Sequence, residues 1–370
     1  MFRNYRIRDY DFKLVILLAA VSALGVLAVG SAREAYQTKQ IIGASAGMAL
    51  LILVSLFDYS LILKTYWLIY AGNLLLLGLV ALMGEKVNGA RRWLNIGSFQ
   101  FQPSETAKIL LILFFAQFIM KYREKLNTFK MIAFCVVLVL VPWTLIYKQP
   151  DLSTSVVLLV AFCIIMFAGG ISYKLVVGVL AVAIPAAAIL VFLAVTPDSG
   201  FDVLEDFQKN RILAFLHPEE YSSAEAYQQL NSVTAIASGQ LDGKGYQNSE
   251  VTSVVNGNFI SEPQTDFIFA VIGEEFGFKG SVFVISCLML ISLECISIAR
   301  KAKDLAGTII AAGMGGLIAF QSFVNIGVTT FILPNTGLTL PFVSAGLSSQ
   351  FSLFFGMGFV LNVRLQARKQ

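Results

Sequence analysis

The sequence predicts an all-α polytopic membrane protein, and three observations support this fold class. Hydrophobic residues make up 57% of the 370 residues, and charged residues only 14%. The mean hydropathy is +0.75, far from the composition of ordinary soluble domains. The third observation is a series of apolar runs, each near the roughly 20 residues that a membrane-crossing helix needs. We therefore expect a single integral membrane domain over residues 1–370.

The apolar runs predict about ten transmembrane helices. Their approximate bounds are 12–30, 40–57, 62–83, 105–120, 130–147, 153–169, 174–196, 279–299, 306–332 and 346–364. Residues 197–265, between the seventh and eighth spans, are predicted to form a large extracytoplasmic loop. A connection of this length needs structure of its own.

The placement of Lys and Arg predicts the orientation of these spans. If the N-terminus is cytoplasmic, the inner segments hold sixteen Lys and Arg residues. The outer segments then hold ten, of which four lie in or just after the long loop, where charge has little effect on orientation. The comparison of sixteen with six predicts that both termini are cytoplasmic.

The first polar cluster lies between the third and fourth spans. Pro103 followed by Ser104 is a typical helix start, which places Glu105 and Lys108 near the first turn of the fourth span. Their i,i+3 spacing puts both side chains on one helix face at contact distance. The pair is either a structural ion pair or a functional one, and the spacing alone fits both.

The same cluster begins with two cations and an aromatic residue, Arg91, Arg92 and Trp93. Solvated loop charges and an interfacial aromatic anchor would explain them. A binding site for an anionic group is the alternative interpretation.

Within the large loop, the sequence predicts an amphipathic helix on the outer membrane surface. Ser222 and Glu225 have capping-box spacing, apolar residues then recur at helical spacing, and Gly239 ends the pattern. The helix either packs over the bundle or lines an entrance for a lipid.

Asp266 closes this loop, at the point where polar sequence gives way to an apolar run that continues to Ile298. That run is too long for one crossing, and Gly273–Gly277 interrupts it. We expect a short re-entrant or interfacial helix, followed by the eighth span from about Lys279. Broken backbone is tolerated at membrane depth only beside protein or a wet cavity. A carboxylate there is costly, so Asp266 is expected to face a polar pocket open to the outside.

The third polar cluster follows the ninth span, where Pro334, Gly337 and Pro341 interrupt an apolar stretch and predict a shaped loop. Ser348, at the start of the tenth span, is a candidate ligand contact or a helix-capping residue.

These groups restrict the chemistry. The sequence contains no GxxxxGK[ST] loop, no HExxH and no Cys/His metal spacing, which argues against nucleotide hydrolysis and zinc chemistry. The +4 net charge is explained by the cytoplasmic anchors and needs no nucleic-acid partner. A partly dry carboxylate acts as a general base, and nearby cations stabilise an anionic leaving group. The set suits transfer chemistry on a phosphorylated lipid, and equally a proton-coupled transporter.

Four motifs resemble, in order and spacing, the SEDS family of RodA and FtsW. The resemblance covers nearly the whole chain and rests on GARRWLNIGSFQFQPSETAKI, KQPDLSTSVVLL, YQNSEVTSVVNGNFISEPQTDFIFAVIGEEFGFKGS and FVNIGVTTFILPNTGLTLPFVSAGLSSQ. It implies a peptidoglycan glycosyltransferase of the bacterial cytoplasmic membrane that polymerises lipid II at the outer face. The growing glycan on undecaprenyl pyrophosphate would be the donor, and the 4-hydroxyl of the incoming lipid II would be the acceptor.

The resemblance also implies roles for residues. Asp266 matches the family's essential acid, as the base that activates the acceptor or as a ligand of a divalent cation, Mg or Mn. Glu105 and Lys108 match the paired polar residues of the fourth span and are predicted to be catalytic. The predicted substrate-binding residues are Arg91, Arg92, Trp93, Gln102, Ser104, Thr265 and Ser348.

The expected partner is a class B penicillin-binding protein. The segment Gln149–Thr154 and the short termini favour the elongation-type RodA branch, with a role in cell shape. The loop Ser344–Ser349 departs from the Tyr-Gly-Gly-Ser pattern usual in the family, which leaves its contribution open. A lipid-linked precursor flippase and a noncatalytic scaffold for the penicillin-binding protein are the alternatives.

Overall fold

The computed structural model describes residues 9–87, 90–97, 99–196, 206–220, 225–247, 253, 257 and 259–367. Over these residues the chain forms thirteen α-helices and one small sheet. The helices are α1 (Phe12–Ala32), α2 (Glu34–Ser55), α3 (Tyr59–Leu63), α4 (Tyr66–Met83), α5 (Pro103–Lys121), α6 (Phe129–Tyr147), α7 (Leu152–Ala168), α8 (Tyr173–Val195), α9 (Asp206–Leu216), α10 (Glu225–Ser238), α11 (Ile268–Lys301), α12 (Leu305–Thr329) and α13 (Leu347–Leu365). The strands are β1 (Glu85–Val87), β2 (Ala90–Ile96) and β3 (Phe99–Phe101).

Every predicted span contains a long helix: α1, α2, α4, α5, α6, α7, α8, the second part of α11, α12 and α13. Within the described part of the chain, seven helices are long and apolar enough to cross a membrane, and α7 is a shorter apolar helix. The multi-span helical membrane fold is therefore confirmed.

Two spans form the centre of the bundle. Of the most apolar stretch of each helix, 78% of residues are buried in α5 and 67% in α12, against 28% in α4 and in α6. The two central helices contact each other, and α7 and α13 contact both of them. Pro103, Ser104 and Glu105 at the start of α5 are buried, so the first turn of this helix lies inside the protein rather than in lipid.

The small sheet is a feature that the all-α prediction did not include. Strand β1 pairs antiparallel with β2, and β2 pairs antiparallel with β3, in the register Ile96 opposite Phe99. The sequence held a signal for this hairpin, because a Gly-Ser dipeptide between short alternating segments is a typical two-residue turn sequence. Gly97 has a φ of +64°, which favours glycine.

Helix α11 is interrupted where the sequence predicted a break. Gly277 has a φ of 63° and a ψ of −157°, which divides α11 into a short first segment, 268–276, and a long span that begins at Phe278. The predicted short helix before the eighth span is thus present. The first segment is buried at every residue except Phe276, so protein surrounds the broken backbone, as membrane depth requires.

A turn after α10, residues 239–245, binds this break. The amides of Lys244 and Gly245 donate to the carbonyls of Glu274 and Glu275, at 2.9 and 3.1 Å. The amide of Phe278 donates in turn to the carbonyl of residue 240, at 2.8 Å. The Lys244 ammonium also pairs with the Glu274 carboxylate at 2.8 Å. The backbone groups released by the break therefore find partners in this turn.

Helix α10 confirms the predicted helix in the outer loop, although Ser222 of the capping box lies outside the described residues. Its polar side faces the protein: Gln229 Nε2 donates to the carbonyls of Val328 and Leu333, both at 2.9 Å, and Ser232 is buried beside it. Tyr227 and Leu230 on the opposite side are exposed. An apolar side turned away from the protein is expected of a helix at a membrane surface.

Candidate functional site

Asp266 lies in the turn just before α11 and is partly buried. A β-carbon placed on Gly337 would lie 3.5 Å from its Oδ2 atom and 3.7 Å from Nη1 of Arg211. The carboxylate of Asp266 and the guanidinium of Arg211 therefore both lie beside Gly337, in the loop after α12. Arg211 comes from α9, within the large outer loop. The structure thus brings an acid, a cation and the Pro/Gly loop together from three separate parts of the chain.

Burial raises the pKa of Asp266 from 3.8 to about 6. The positive charges of Arg211 and Arg92 oppose this shift, while the negative charge of Glu262 adds to it. At neutral pH the carboxyl group is mostly ionised, yet it binds a proton more strongly than an exposed aspartate. These are the properties of a general base.

Arg92 and Arg211 line one cavity of about 130 Å³, to which Asp266 itself does not contribute. Arg92 is held in place by the turn between α6 and α7: its Nε donates to the carbonyl of Gln149 at 3.1 Å, and its Nη2 donates to that of Pro150. Two guanidinium groups in one wall form a suitable site for a diphosphate.

A second, larger cavity has a volume of about 670 Å³, and Thr265 is one of the residues that line it. Its walls are formed by residues of α2, the sheet and the start of α13: Tyr36, Lys39, Gln40, Trp93, Asn95, Gly97, Gln100, Thr265, Ala345, Gly346 and Leu347. Trp93 and Thr265, two predicted substrate-binding residues, are in this wall. Arg91 is exposed and lines neither of the two cavities, although it shares the strand face of Trp93.

The structure places Gln102, Ser104 and Ser348 in contacts between elements. The Gln102 side-chain amide and the Ser104 hydroxyl both donate to Asp151 Oδ2, at 3.2 and 3.4 Å. Ser348 Oγ accepts from the backbone N–H of Gln102 at 3.0 Å and donates to the backbone carbonyl of Gln100 at 2.9 Å. These three residues connect the starts of α5, α7 and α13 beside β3. They line neither cavity.

Glu105 and Lys108 form the contact that their spacing predicts. The ammonium lies 2.9 Å from Glu105 Oε1, and Lys108 is only 1% exposed. The ammonium also donates to Gln321 Oε1 of α12 at 3.4 Å. Neither member of the pair lines the two cavities, so the pair is internal to the bundle.

Three residues with a place in this site were not singled out from the sequence. They are Arg211, Gln321 and Asn325. Polar residues within an apolar span are a functional signal, and Gln321 and Asn325 carried that signal in the ninth span. Arg211 carried none, since a cation in an outer loop is ordinary.

A divalent cation was expected at Asp266. Among the residues that the structure describes, no three His, Cys, Asp or Glu side chains come together as a metal site. A protein-only metal site is therefore not formed by these residues. Asp266 would be the carboxylate available to such a cation, which would need further ligands from outside the protein.

The structure is that of a multi-pass membrane protein in which a partly buried carboxylate, Asp266, and the guanidinium of Arg211 lie beside the same glycine, Gly337. The family model described as cell cycle protein FtsW/RodA/SpoVE matches residues 10–369. The chain belongs to this family, which is also called SEDS.

Curated relatives match nearly end to end. The peptidoglycan glycosyltransferase RodA of Treponema pallidum is 29% identical, over 96% of this chain and 98% of its own. The peptidoglycan glycosyltransferase MrdB of Escherichia coli K12 is 31% identical, over 96% and 93%. The stage V sporulation protein E of Bacillus subtilis is 32% identical, over 97% and 98%. Such similar identities do not separate the branches of the family.

Solved structures agree with the fold. A chain from a study of a peptidoglycan synthase complex that coordinates polymerization and crosslinking has a TM-score of 0.78 and 30% identity, over 96% of this chain and 97% of its own. The crystal structure of the rod shape determining protein RodA of Thermus thermophilus has a TM-score of 0.71 and 27% identity, over 98% of both chains.

Proposed function

We propose that this protein is a peptidoglycan glycosyltransferase that polymerises lipid II at the outer face of the bacterial cytoplasmic membrane. The position of Asp266 carries the proposal: this partly buried carboxylate lies beside Gly337 together with Arg211, which lines one cavity, and it directly follows Thr265, which lines the larger cavity with Trp93. The names of its relatives give the substrate class, and the site supplies the groups that this reaction needs.

The two cavities suit the two substrates. Arg92 and Arg211 bind the diphosphate of the lipid-linked donor glycan, since guanidinium groups pair with phosphate oxygens in a bidentate manner. Trp93 and Thr265 hold the sugar of the incoming lipid II, where an aromatic face packs against the ring and a hydroxyl accepts or donates a hydrogen bond.

Asp266 then removes the proton from the acceptor 4-hydroxyl. The oxygen attacks C1 of the donor sugar, on the face opposite to the leaving group, and a new C1–O bond forms as the C1–O bond to phosphate breaks. Configuration at C1 is inverted. The undecaprenyl pyrophosphate leaves with the electron pair, and its charge is stabilised by the two arginines.

Lipid II polymerisation by the purified protein tests this assignment. Asp266→Asn keeps the shape of the side chain and removes the base, so we expect glycan strand formation to fall by a factor of roughly 100 or more. Glu220→Gln is the matched control, because Glu220 is an exposed carboxylate of the same outer loop and does not contribute to the pKa of Asp266. A folded Asp266→Asn protein with the parent rate would refute the proposal, and so would a parent protein that transports lipid II without polymerising it.

As the alternative role of Asp266, we propose that a Mg or Mn ion would bind together with the diphosphate, with this carboxylate as its protein ligand instead of as the base. Such an ion would neutralise charge on the leaving group. The expected result is that Mg²⁺ binding to the purified protein, measured by calorimetry, requires an added lipid diphosphate and is weakened by Asp266→Asn. Tight binding without the diphosphate would contradict this assignment.

We also propose a class B penicillin-binding protein as the partner and a role in cell elongation. The synthase complex to which one matching structure belongs supports a partner, and the Gln149–Thr154 segment favours the RodA branch. A polymerisation rate that increases when the purified partner is added would support the first point. Rescue of cell shape, rather than division, in a depletion strain would support the second.

A further inference from the structure

Helix α12 carries a buried polar stripe in the middle of the bundle. Gln321, Asn325 and Thr329 follow one another at i, i+4 and i+8, so they share one face of the helix. Their exposed fractions are 0%, 1% and 0%. Polar side chains buried in a membrane protein are costly unless they are hydrogen-bonded, so the partners of this stripe indicate its purpose.

Asn325 contacts the segment of the catalytic acid directly. Its side-chain Nδ2 donates to the backbone carbonyl of Asp266 at 2.8 Å and to that of Leu338 at 2.6 Å. Leu338 follows Gly337, the residue against which the Asp266 carboxylate lies. One amide group therefore fixes both the backbone that carries the acid and the loop surface on which the acid rests.

Gln321 extends the same arrangement by one helical turn. Its Nε2 donates to the carbonyl of Thr339 at 3.1 Å, and its Oε1 accepts from the Lys108 ammonium at 3.4 Å. The carbonyls of Leu338 and Thr339 are consecutive in the chain, so α12 holds the loop through two successive peptide groups. The buried Glu105–Lys108 pair is joined to the loop through Gln321.

We propose that Asn325 is a positioning residue, which holds Asp266 against the loop after α12, and that Gln321 links this contact to the Glu105–Lys108 pair. Neither amide touches substrate in this assignment. The proposal rests on the proposed function only for its kinetic consequence, because the placement of the acid is a property of the protein alone.

The proposal is tested with Asn325→Leu, which keeps the size of the side chain and removes both donors. Asn325→Ser, which keeps one donor, is measured in parallel. Thr329→Val is the matched control: Thr329 is buried on the same face, but its hydroxyl donates to the carbonyls of Asn325 and Ile326 in its own helix. The first readout is the frequency of the Asp266 carboxylate band in infrared spectra at neutral pH, identified by its loss in Asp266→Asn. The second readout is the kinetics of lipid II polymerisation.

In Asn325→Leu the released carboxylate gains water, so its infrared band shifts away from the parent frequency. kcat falls by roughly 100-fold with little change in KM, since a small displacement of a catalytic group has effects of this size. The band position and kcat of Asn325→Ser lie between those of the parent and those of Asn325→Leu. Thr329→Val has the band position and kcat of the parent.

Three outcomes would overturn the proposal. The first is an unchanged Asp266 infrared band in folded Asn325→Leu. The second is an equal loss of activity in Thr329→Val. The third is failure of both Asn325 variants to fold, which would assign the residue to the fold rather than to the acid. A parent that does not polymerise lipid II would refute the proposed function, while the infrared band of Asp266 would still decide the role of Asn325.

Discussion

At the scale of single residues, the environment of Asp266 sets opposite demands on stability and activity. Burial raises its pKa, so the native state holds the carboxyl proton more tightly than the unfolded chain does. Stability from this group is fully present below pH 3.8, and it is lost as the pH rises to about 6. Above that pH the protein carries an ionised, partly desolvated carboxylate, which is the form that the proposed reaction requires.

Asp266→Asn is therefore predicted to stabilise the protein while it removes activity. The parent should become less stable than the variant between pH 4 and pH 6, by up to about 3 kcal/mol, a ceiling that solvent screening reduces because the group is partly exposed. Parent activity should rise through pH 6 and level off near neutrality. Thermal unfolding in detergent and initial polymerisation rates across this range measure both effects. Equal unfolding profiles for the two proteins would contradict the prediction.

The Glu105–Lys108 pair offers a second prediction at this scale. Removing one member leaves an unpaired buried charge, which typically costs 3–5 kcal/mol, whereas replacing both members is often much less harmful. Lys108→Met should thus be less stable than the double variant Glu105→Leu/Lys108→Met. If the pair only positions the loop, the double variant recovers part of the polymerisation activity that the single variant loses. A stable but inactive double variant would show that the pair acts in the reaction itself.

At the scale of elements, the sequence predicted the spans well because run length and hydropathy depend on local composition. It also predicted the break in α11, since Gly273–Gly277 interrupts an apolar run that is too long for one crossing. Helix α9 was not predicted, because its 11 residues mix charged and apolar side chains and its place depends on tertiary contacts. Arg211 was missed for that reason: only the folded chain brings it to Asp266.

The turn at residues 239–245, which hydrogen-bonds to the break in α11, gives a prediction with an internal control. A β-carbon on Gly243 would lie 2.0 Å from the carbonyl oxygen of Glu275, whereas one on Gly245 would have nothing within 4 Å. Both glycines have a positive φ, +83° and +96°, so alanine is strained at either position by about 1–2 kcal/mol. Gly243→Ala should lose clearly more thermal stability than Gly245→Ala, because only the former displaces backbone. Equal melting temperatures would show that the turn does not hold the break.

At the scale of the whole molecule, the sequence and the structure agree on two chemically different faces. Asp266, Trp93 and the two cavities lie at one face. The other face is tied by a polar network in which Tyr59 donates to Asp304 at 2.9 Å and Lys303 donates to Gln366. The sequence assigned these faces through Lys and Arg placement, which reflects insertion into the membrane. The meeting of Asp266, Arg211 and Asn325 depends on packing between distant segments, so composition and spacing did not show it.

If the site faces outward, as the proposed function requires, labelling of single cysteines will show it. Leu241 lies in the turn at residues 239–245, at the same face as Asp266. Glu124 lies in the turn between α5 and α6, at the opposite face. Both side chains are exposed, so the variants are Leu241→Cys and Glu124→Cys. A membrane-impermeant maleimide should label Leu241→Cys in intact spheroplasts and Glu124→Cys only after lysis. The four native cysteines lie within the helical spans and are replaced by serine or alanine in both variants. Labelling of Glu124→Cys in intact spheroplasts, with Leu241→Cys protected, would invert the topology and place the base on the cytoplasmic side, where polymerisation of an exported lipid II is impossible.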